Sequence, residues 1–213
     1  MNIFIYGDSN TIGQMPNLDG YKKNAKTKYY NLKDIWWHNL TINNSVAVDA
    51  LPGRAIANEN PWLDGRNASL TIRNDMAGVV ADLYIIQLGT NDCKSLYGNS
   101  AETITKNLSD LLEKIYWLKG HQKVLIISPA KIAEGNRITD MFYVGASKKC
   151  TRLDRCYKKL CKEKGVFFVS GLDLEVGEDG EHLTKRGHQQ LAQKIDEAIL
   201  NIDESMADKE GAQ

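Results

Sequence analysis

The sequence predicts an α/β protein, a three-layer α/β/α sandwich around a flavodoxin-like sheet of five parallel strands. Five short apolar runs, rich in β-branched residues, alternate with longer amphipathic segments along the chain. The runs are nearly continuous in their apolar character, which is typical of strands buried on both faces of a parallel sheet. The repeated order of strand and helix indicates right-handed βαβ crossovers.

Each apolar run is assigned to one strand. In chain order the predicted strands are Ile3–Tyr6, Ser45–Asp49, Leu83–Leu88, Lys123–Ser128 and Val166–Val169. The segments between and after them are assigned to helices, because their apolar residues recur at helical spacing. The predicted helices are Tyr30–Leu40, Gly65–Ala77, Ser100–Leu118, Cys150–Lys164 and Lys185–Leu200.

The organisation along the chain indicates one domain over residues 1–201, followed by a polar, acidic tail at 202–213 that we expect to be disordered. Two long loops, Gln14–Lys28 and Pro129–Ser147, follow the first and fourth strands. Loops of this length in a compact domain are usually functional or disordered. Both follow the carboxyl end of a strand, where open α/β sheets bind ligands.

Composition and charge exclude several classes of protein. The 213 residues include 27 Lys and Arg and 27 Asp and Glu, so the net charge is zero and no global positive field marks a nucleic-acid binder. Lys148–Lys164 carries eight basic residues, but an apolar stripe at helical spacing makes them the solvated face of a packed helix. No apolar stretch approaches the roughly 20 residues that span a bilayer. Without an export signal the sequence predicts a cytoplasmic protein.

The four cysteines are predicted to be reduced and mostly buried. Cys93, Cys150, Cys156 and Cys161 form no CxxC pair, and three of them lie at helical spacing on one segment. No cluster of residues shows the spacing of metal ligands, so neither a metal nor another cofactor is expected.

Polar residues follow three of the predicted strands. Ser9 follows the first strand in Gly7-Asp8-Ser9-Asn10, Gly53 follows the second, and Asn91 follows the third in Gly89-Thr90-Asn91-Asp92. A serine at such a turn is a candidate nucleophile, and its backbone N–H can stabilise developing negative charge. Taken singly, the Ser9 motif is equally well explained as a helix cap, and the motifs of Gly53 and Asn91 are more often a Pro-Gly turn and an Asx-turn or helix cap.

A fourth block, Asp179-Gly180-Glu181-His182, precedes the last predicted helix. Asp179 and His182 lie three residues apart, so the carboxylate can fold back onto one imidazole nitrogen while the other faces a nucleophile. His188 competes as a base, but it shares a helical face with Leu191, Ile195 and Ile199 and is expected to pack on the sheet.

These four blocks together resemble the SGNH family of hydrolases, also called GDSL esterases, over residues 1–201. Asn10 stands where the name of the family has Leu. Additional residues are similar to the arylesterase or acyltransferase subgroup: Gly53-Arg54, Asn60-Pro61, Leu63–Asn67 and Ala81–Leu88. Members of this family are often oligomeric, and the resemblance leaves a homo-oligomer open.

The motifs and the resemblance predict a serine esterase. Ser9 attacks the ester carbonyl, His182 accepts the Ser9 proton, and Asp179 orients His182. The expected oxyanion hole consists of the backbone N–H groups of Ser9 and Gly53 and the side chain of Asn91. Asp8, Asn10 and Arg54 are expected to contact the substrate. We expect this substrate to be a small-molecule ester, with neither a nucleic acid nor a membrane as partner.

The sequence offers no long apolar channel, so short acyl esters of carbohydrates or small alcohols are favoured, acetyl esters above all. Acyl transfer to an alcohol is a further activity that the resemblance implies. A lipid-directed esterase of the lysophospholipase or thioesterase type is the first alternative. A flavodoxin-like binding module is the second, although Asp8 lies where a phosphate would be repelled and no glycine-rich phosphate motif is present. A catalytically inactive relative is disfavoured because every residue needed for the chemistry is present.

Overall fold

The computed structural model describes residues 1–20, 26–41, 45–120 and 123–210, with side chains as far as residue 202. A central sheet contains five parallel strands in the order β2-β1-β3-β4-β5. The strands are β1 (Asn2–Gly7), β2 (Ser45–Ala50), β3 (Leu83–Gln87), β4 (Lys123–Ile127) and β5 (Phe167–Val169). The predicted fold class is confirmed, and every strand boundary lies within one residue of its prediction.

Six α-helices are present in the described part of the chain. They are α1 (Ser9–Ile12), α2 (Ala68–Asp75), α3 (Ala101–Lys119), α4 (Arg137–Phe142), α5 (Ala146–Lys164) and α6 (Lys185–Glu210). The second long loop therefore contains a helix of its own. Residues 21–25 of the first long loop lie outside the described residues.

One predicted helix is not an α-helix in the structure. The predicted helix Tyr30–Leu40 consists of two 3-10 turns, Leu32–Asp34 and Trp36–Asn39, separated by the extended residue Ile35. The indole N–H groups of Trp36 and Trp37 donate to Gln87 Oε1 and Thr11 O, and these tertiary bonds override helix propensity.

The last helix is longer than predicted. The tail expected to be disordered after Asn201 is helical as far as Glu210, and residues 211–213 lie outside the described residues. Ile202 continues the buried stripe of Ile195 and Ile199, so the apolar face of α6 extends beyond the predicted end.

The core lies on both faces of the sheet. Alternate residues of β1 point to opposite sides: Phe4 and Tyr6 pack with α2, α3 and α5, whereas Ile3 and Ile5 pack with α6. The basic residues of α5 lie mostly on its exposed side, and its apolar stripe, from Cys150 to Cys161, is buried as predicted. All four cysteines are free thiols. Among the described residues, no helix combines the length and the apolar character needed to cross a bilayer.

Candidate active site

Ser9, His182 and Asp179 form one hydrogen-bonded chain at the carboxyl edge of the sheet. Ser9 is the first residue of α1, directly after β1, and its Oγ lies 3.0 Å from His182 Nε2. His182 Nδ1 lies 2.7 Å from Asp179 Oδ2. All three residues are buried. This order of hydroxyl, imidazole and carboxylate is the geometry in which an imidazole can accept a serine proton while a carboxylate orients it.

The loop that carries Asp179 and His182 has a fixed shape. Asp179 Oδ1 accepts the backbone N–H groups of Glu181 and His182, each at 3.1 Å. Gly180 adopts φ +80°, and a Cβ there would lie 2.3 Å from the carbonyl oxygen of Ala133. Only glycine fits this turn without strain, which explains its place between the two functional residues.

Gly53 and Asn91 line the same cleft as Ser9. A cleft of about 280 Å³ is lined by Ser9, Gly53, Asn91, Asp179 and His182, together with residues of both its rims. Gly53 has φ +81°, and a Cβ there would lie 2.8 Å from Asn60 Nδ2, so the backbone approaches the cleft where a side chain would not fit. Asn91 Nδ2 donates to Arg54 O at 3.1 Å, which orients its amide.

The predicted substrate contacts Asp8, Asn10 and Arg54 are not among the residues that line the cleft, and their contact with a substrate stays a prediction. Asp8 caps α1 by accepting the Asn10 N–H at 2.9 Å, and Asn10 binds the loop backbone of Glu181 and Leu183.

Arg54 is fully buried away from the cleft. Its guanidinium donates to Gly7 O, Asp49 O and Asp49 Oδ1 and lies 4.0 Å from the centre of the Tyr6 ring. A charged group needs such partners when it is removed from water, so Arg54 joins β1 to β2.

The charges around the triad favour an ionised Asp179 and a basic His182. Burial opposes ionisation of Asp179, but the hydrogen bond and charge of His182 outweigh it and lower the carboxyl pKa. Burial also disfavours the imidazolium of His182, yet the carboxylates of Glu181, Asp179 and Asp8 outweigh burial and raise its pKa. Burial raises the pKa of Asp8 to about 7. His188 is buried on the sheet side of α6, as predicted, and burial lowers its pKa to about 4.

Several functional neighbours were not predicted. The backbone N–H of Asn17 donates to Asp179 Oδ2 at 2.8 Å, so the first long loop supports the triad. Glu181 is buried with Oε1 4.0 Å from His182 Nδ1, and Tyr143 donates a hydrogen bond to Oε2. Lys94 is buried and lines the same cleft. The Asn17 contact uses the backbone and leaves no sequence signal, whereas Glu181 lies inside a motif that the sequence had already marked.

Three residues of the triad loop could also hold a metal ion. Asp179, Glu181 and His182 bring candidate ligand atoms within 4.8 Å of one another. Each already has a hydrogen-bond partner: Asn17 for Asp179, Tyr143 for Glu181 and Ser9 for His182. The prediction that the chemistry needs no metal stays a prediction.

A nucleophile, a base and an orienting acid on a parallel α/β sheet define a hydrolase of the serine type. The sequence profile of the GDSL-like Lipase/Acylhydrolase family matches residues 5–190. The chain belongs to this family and is an enzyme that hydrolyses carboxylic esters. A search of curated protein sequences gives no match.

Solved structures show the same fold. The aryl esterase of M. smegmatis superposes with a TM-score of 0.84 at 25% identity, covering 94% of this chain and 98% of that one. A carbohydrate acetylesterase from Sinorhizobium meliloti gives a TM-score of 0.84 at 23% identity, with coverage of 94% and 99%. A lipolytic G-D-S-L protein from Veillonella parvula gives 0.63 at 18% identity, with coverage of 91% and 95%. The last two show likeness of fold alone.

Proposed function

We propose that the protein hydrolyses short acyl esters of carbohydrates or small alcohols, with acetyl as the preferred acyl group. The observation that carries this proposal is the Ser9–His182–Asp179 chain opening onto a small cleft. A cleft of about 280 Å³ lies just below the usual range for ligand sites. A long acyl chain would exceed this volume, which disfavours the lipid-directed alternative.

The reaction proceeds in two halves. His182 Nε2 accepts the proton of Ser9 Oγ as the oxygen bonds to the acyl carbon, and Asp179 stabilises the imidazolium. The Ser9 and Gly53 N–H groups and the Asn91 amide bind the oxyanion. His182 then gives the proton to the departing alcohol, and a water activated by the same imidazole releases the acid. An alcohol in place of that water gives acyl transfer.

The deciding experiment compares p-nitrophenyl acetate with p-nitrophenyl octanoate, using the wild type and Ser9→Ala side by side. We expect faster turnover of the acetate and loss of this turnover in Ser9→Ala, because the covalent path disappears. Faster octanoate hydrolysis would move the substrate class to lipids. Turnover by Ser9→Ala equal to that of the wild type would overturn the nucleophile assignment.

A cytoplasmic location and assembly into a homo-oligomer remain predictions alongside this function. Subcellular fractionation tests the first, and sedimentation of the purified chain tests the second.

A further inference from the structure

An exposed tryptophan stands at the rim of the catalytic cleft. Trp62 is 62% exposed and its neighbour Leu63 is 43% exposed, and both line the cleft that contains Ser9 and His182. Large apolar side chains that remain open to solvent at a functional cleft commonly mark a surface that a ligand covers. No step of the ester hydrolysis uses Trp62.

The backbone beneath Trp62 is fixed to the oxyanion side of the site. Asn60 is buried, and its Oδ1 accepts the backbone N–H groups of Trp62 at 3.0 Å and Leu63 at 3.1 Å. The amide nitrogen of the same Asn60 side chain packs against Gly53. Trp62 is therefore held at a constant distance from the predicted oxyanion donor, as a preorganised binding surface requires.

The indole of Trp62 also contacts a second aromatic ring. The rings of Trp62 and Phe142 lie 6.1 Å apart at 83°, an edge-on contact between the loop after β2 and the end of α4. This contact orients the indole while most of its surface stays open. The remaining rim is different in character, since the first long loop contributes Gln14, Asn17 and Thr27.

An aromatic wall beside a polar rim suits a ring with one apolar face and hydroxyl groups at its edge. The C–H face of a pyranose can stack on an indole, while its oxygens accept and donate hydrogen bonds to amide and hydroxyl side chains. A simple aryl group would leave the polar rim without partners, and that is unfavourable once the rim is covered.

We propose that Trp62 is a specificity-determining residue that stacks on the pyranose ring of an acetylated sugar, the alcohol part of the ester. This inference rests on the proposed esterase function and names the substrate class of the same site. In this arrangement the ring lies outside the reaction centre, and the acetyl group reaches Ser9.

The test compares glucose 6-acetate, p-nitrophenyl acetate and ethyl acetate as substrates of Trp62→Ala. We expect kcat/KM for the sugar ester to fall about tenfold, as the loss of one aromatic contact would produce. Hydrolysis of ethyl acetate, which has no ring, should fall less than hydrolysis of the sugar ester. Trp62→Phe should restore most of the sugar activity. Trp117→Ala is the matched control, because Trp117 is 72% exposed on α3 and lies outside the cleft lining.

Three results would overturn the proposal. Equal losses on the sugar ester and on ethyl acetate would mean a structural role. An unchanged kcat/KM of Trp62→Ala for the sugar ester would show that Trp62 does not contact the ring. A loss of activity confined to p-nitrophenyl acetate would show that Trp62 recognises aryl esters and not sugar esters.

A measurement of binding distinguishes failure of this inference from failure of the proposed esterase function. Titration calorimetry with glucose 6-acetate is carried out on Ser9→Ala and on Ser9→Ala combined with Trp62→Ala, so no turnover is needed. We expect about tenfold weaker binding in the double variant. Equal affinity in the two variants would refute stacking at Trp62, whereas an inactive wild type would refute only the esterase proposal.

Discussion

The side chain of Asn10 holds the backbone on both sides of His182. Asn10 Nδ2 donates to Glu181 O at 3.1 Å, and Asn10 Oδ1 accepts the N–H of Leu183 at 2.8 Å. Asn10 follows the candidate nucleophile directly in sequence, whereas His182 lies near the C-terminal helix. The nucleophile segment and the loop that carries the base are therefore joined by one amide, which holds the imidazole beside Ser9.

Replacement of Asn10 should lower both activity and stability. Asn10→Ala leaves two buried backbone groups without partners, at a cost of roughly 1–3 kcal/mol for each group. We expect a lower free energy of unfolding in urea and a lower kcat, because His182 loses its fixed position. Asn10→Asp keeps an acceptor for Leu183 N–H but cannot donate to Glu181 O, so it should fall between alanine and the wild type. An unchanged kcat in Asn10→Ala would show that the amide does not position the base.

The oxyanion assignment predicts unequal losses at Asn91 and Ser9. Removal of one oxyanion donor typically costs about 10²–10³ in turnover, so Asn91→Ala should retain measurable acetate hydrolysis. Ser9→Ala should retain almost none, since the acyl-enzyme cannot form. Steady-state kinetics with p-nitrophenyl acetate test both, and circular dichroism checks that the variants are folded. Equal residual rates would argue against distinct roles for the two residues.

Glu181 should shift the pH dependence of hydrolysis. His182 must be neutral to accept a proton, and the negative charge of Glu181 contributes to its raised pKa. Glu181→Gln removes that charge, so the acid limb of kcat/KM against pH should move to lower pH. The groups that face His182 also include Asp8, Asp179 and His188, and these remain unchanged in the variant.

Tyr143→Phe is the control for the Glu181 experiment. It removes the hydrogen bond to Glu181 but keeps the carboxylate, so its acid limb should stay closer to that of the wild type. If kcat/KM of Glu181→Gln falls at every pH and its acid limb does not move, the substitution has damaged the structure and has not changed the pKa of His182.

Arg54 should matter for stability and not for substrate affinity. Arg54→Ala leaves the backbone acceptors Gly7 O and Asp49 O and two partly buried carboxylates without their guanidinium partner. Loss of one member of a buried ion pair typically destabilises by about 3–5 kcal/mol. We expect a matching decrease in unfolding free energy, whereas Arg155→Ala, on the exposed face of α5, should stay within about 0.5 kcal/mol of the wild type.

The kinetic readout distinguishes the two roles of Arg54. Arg54→Lys cannot reproduce the forked hydrogen bonds and should be destabilised to an intermediate degree, with KM for the acetate unchanged in its folded fraction. An Arg54 variant with a raised KM and the stability of the wild type would show that Arg54 contacts the substrate.

The local pattern of the chain was sufficient for most of the fold. Continuous β-branched runs can be buried only on both faces of a sheet, so the five strands and their parallel order followed from the sequence. The prediction of a helix over Tyr30–Leu40 was wrong, because tertiary contacts and not the local pattern decide the conformation of this segment. Its apolar residues do recur at helical spacing. However, Trp36 and Trp37 form hydrogen bonds with Gln87 and Thr11. The spacing of apolar residues does not show such contacts between distant residues.

The sequence by itself determined where Ser9, Gly53, Asn91, Asp179 and His182 would meet, because the strands of a parallel sheet end at one edge and chemically specific residues follow those ends. Only the tertiary structure decided what Arg54, Asn10 and Trp62 do. An arginine can bind a ligand or serve a buried network, and a tryptophan can fill a core or line a cleft. Burial and partners from distant segments make that choice, and no local pattern of residues encodes them.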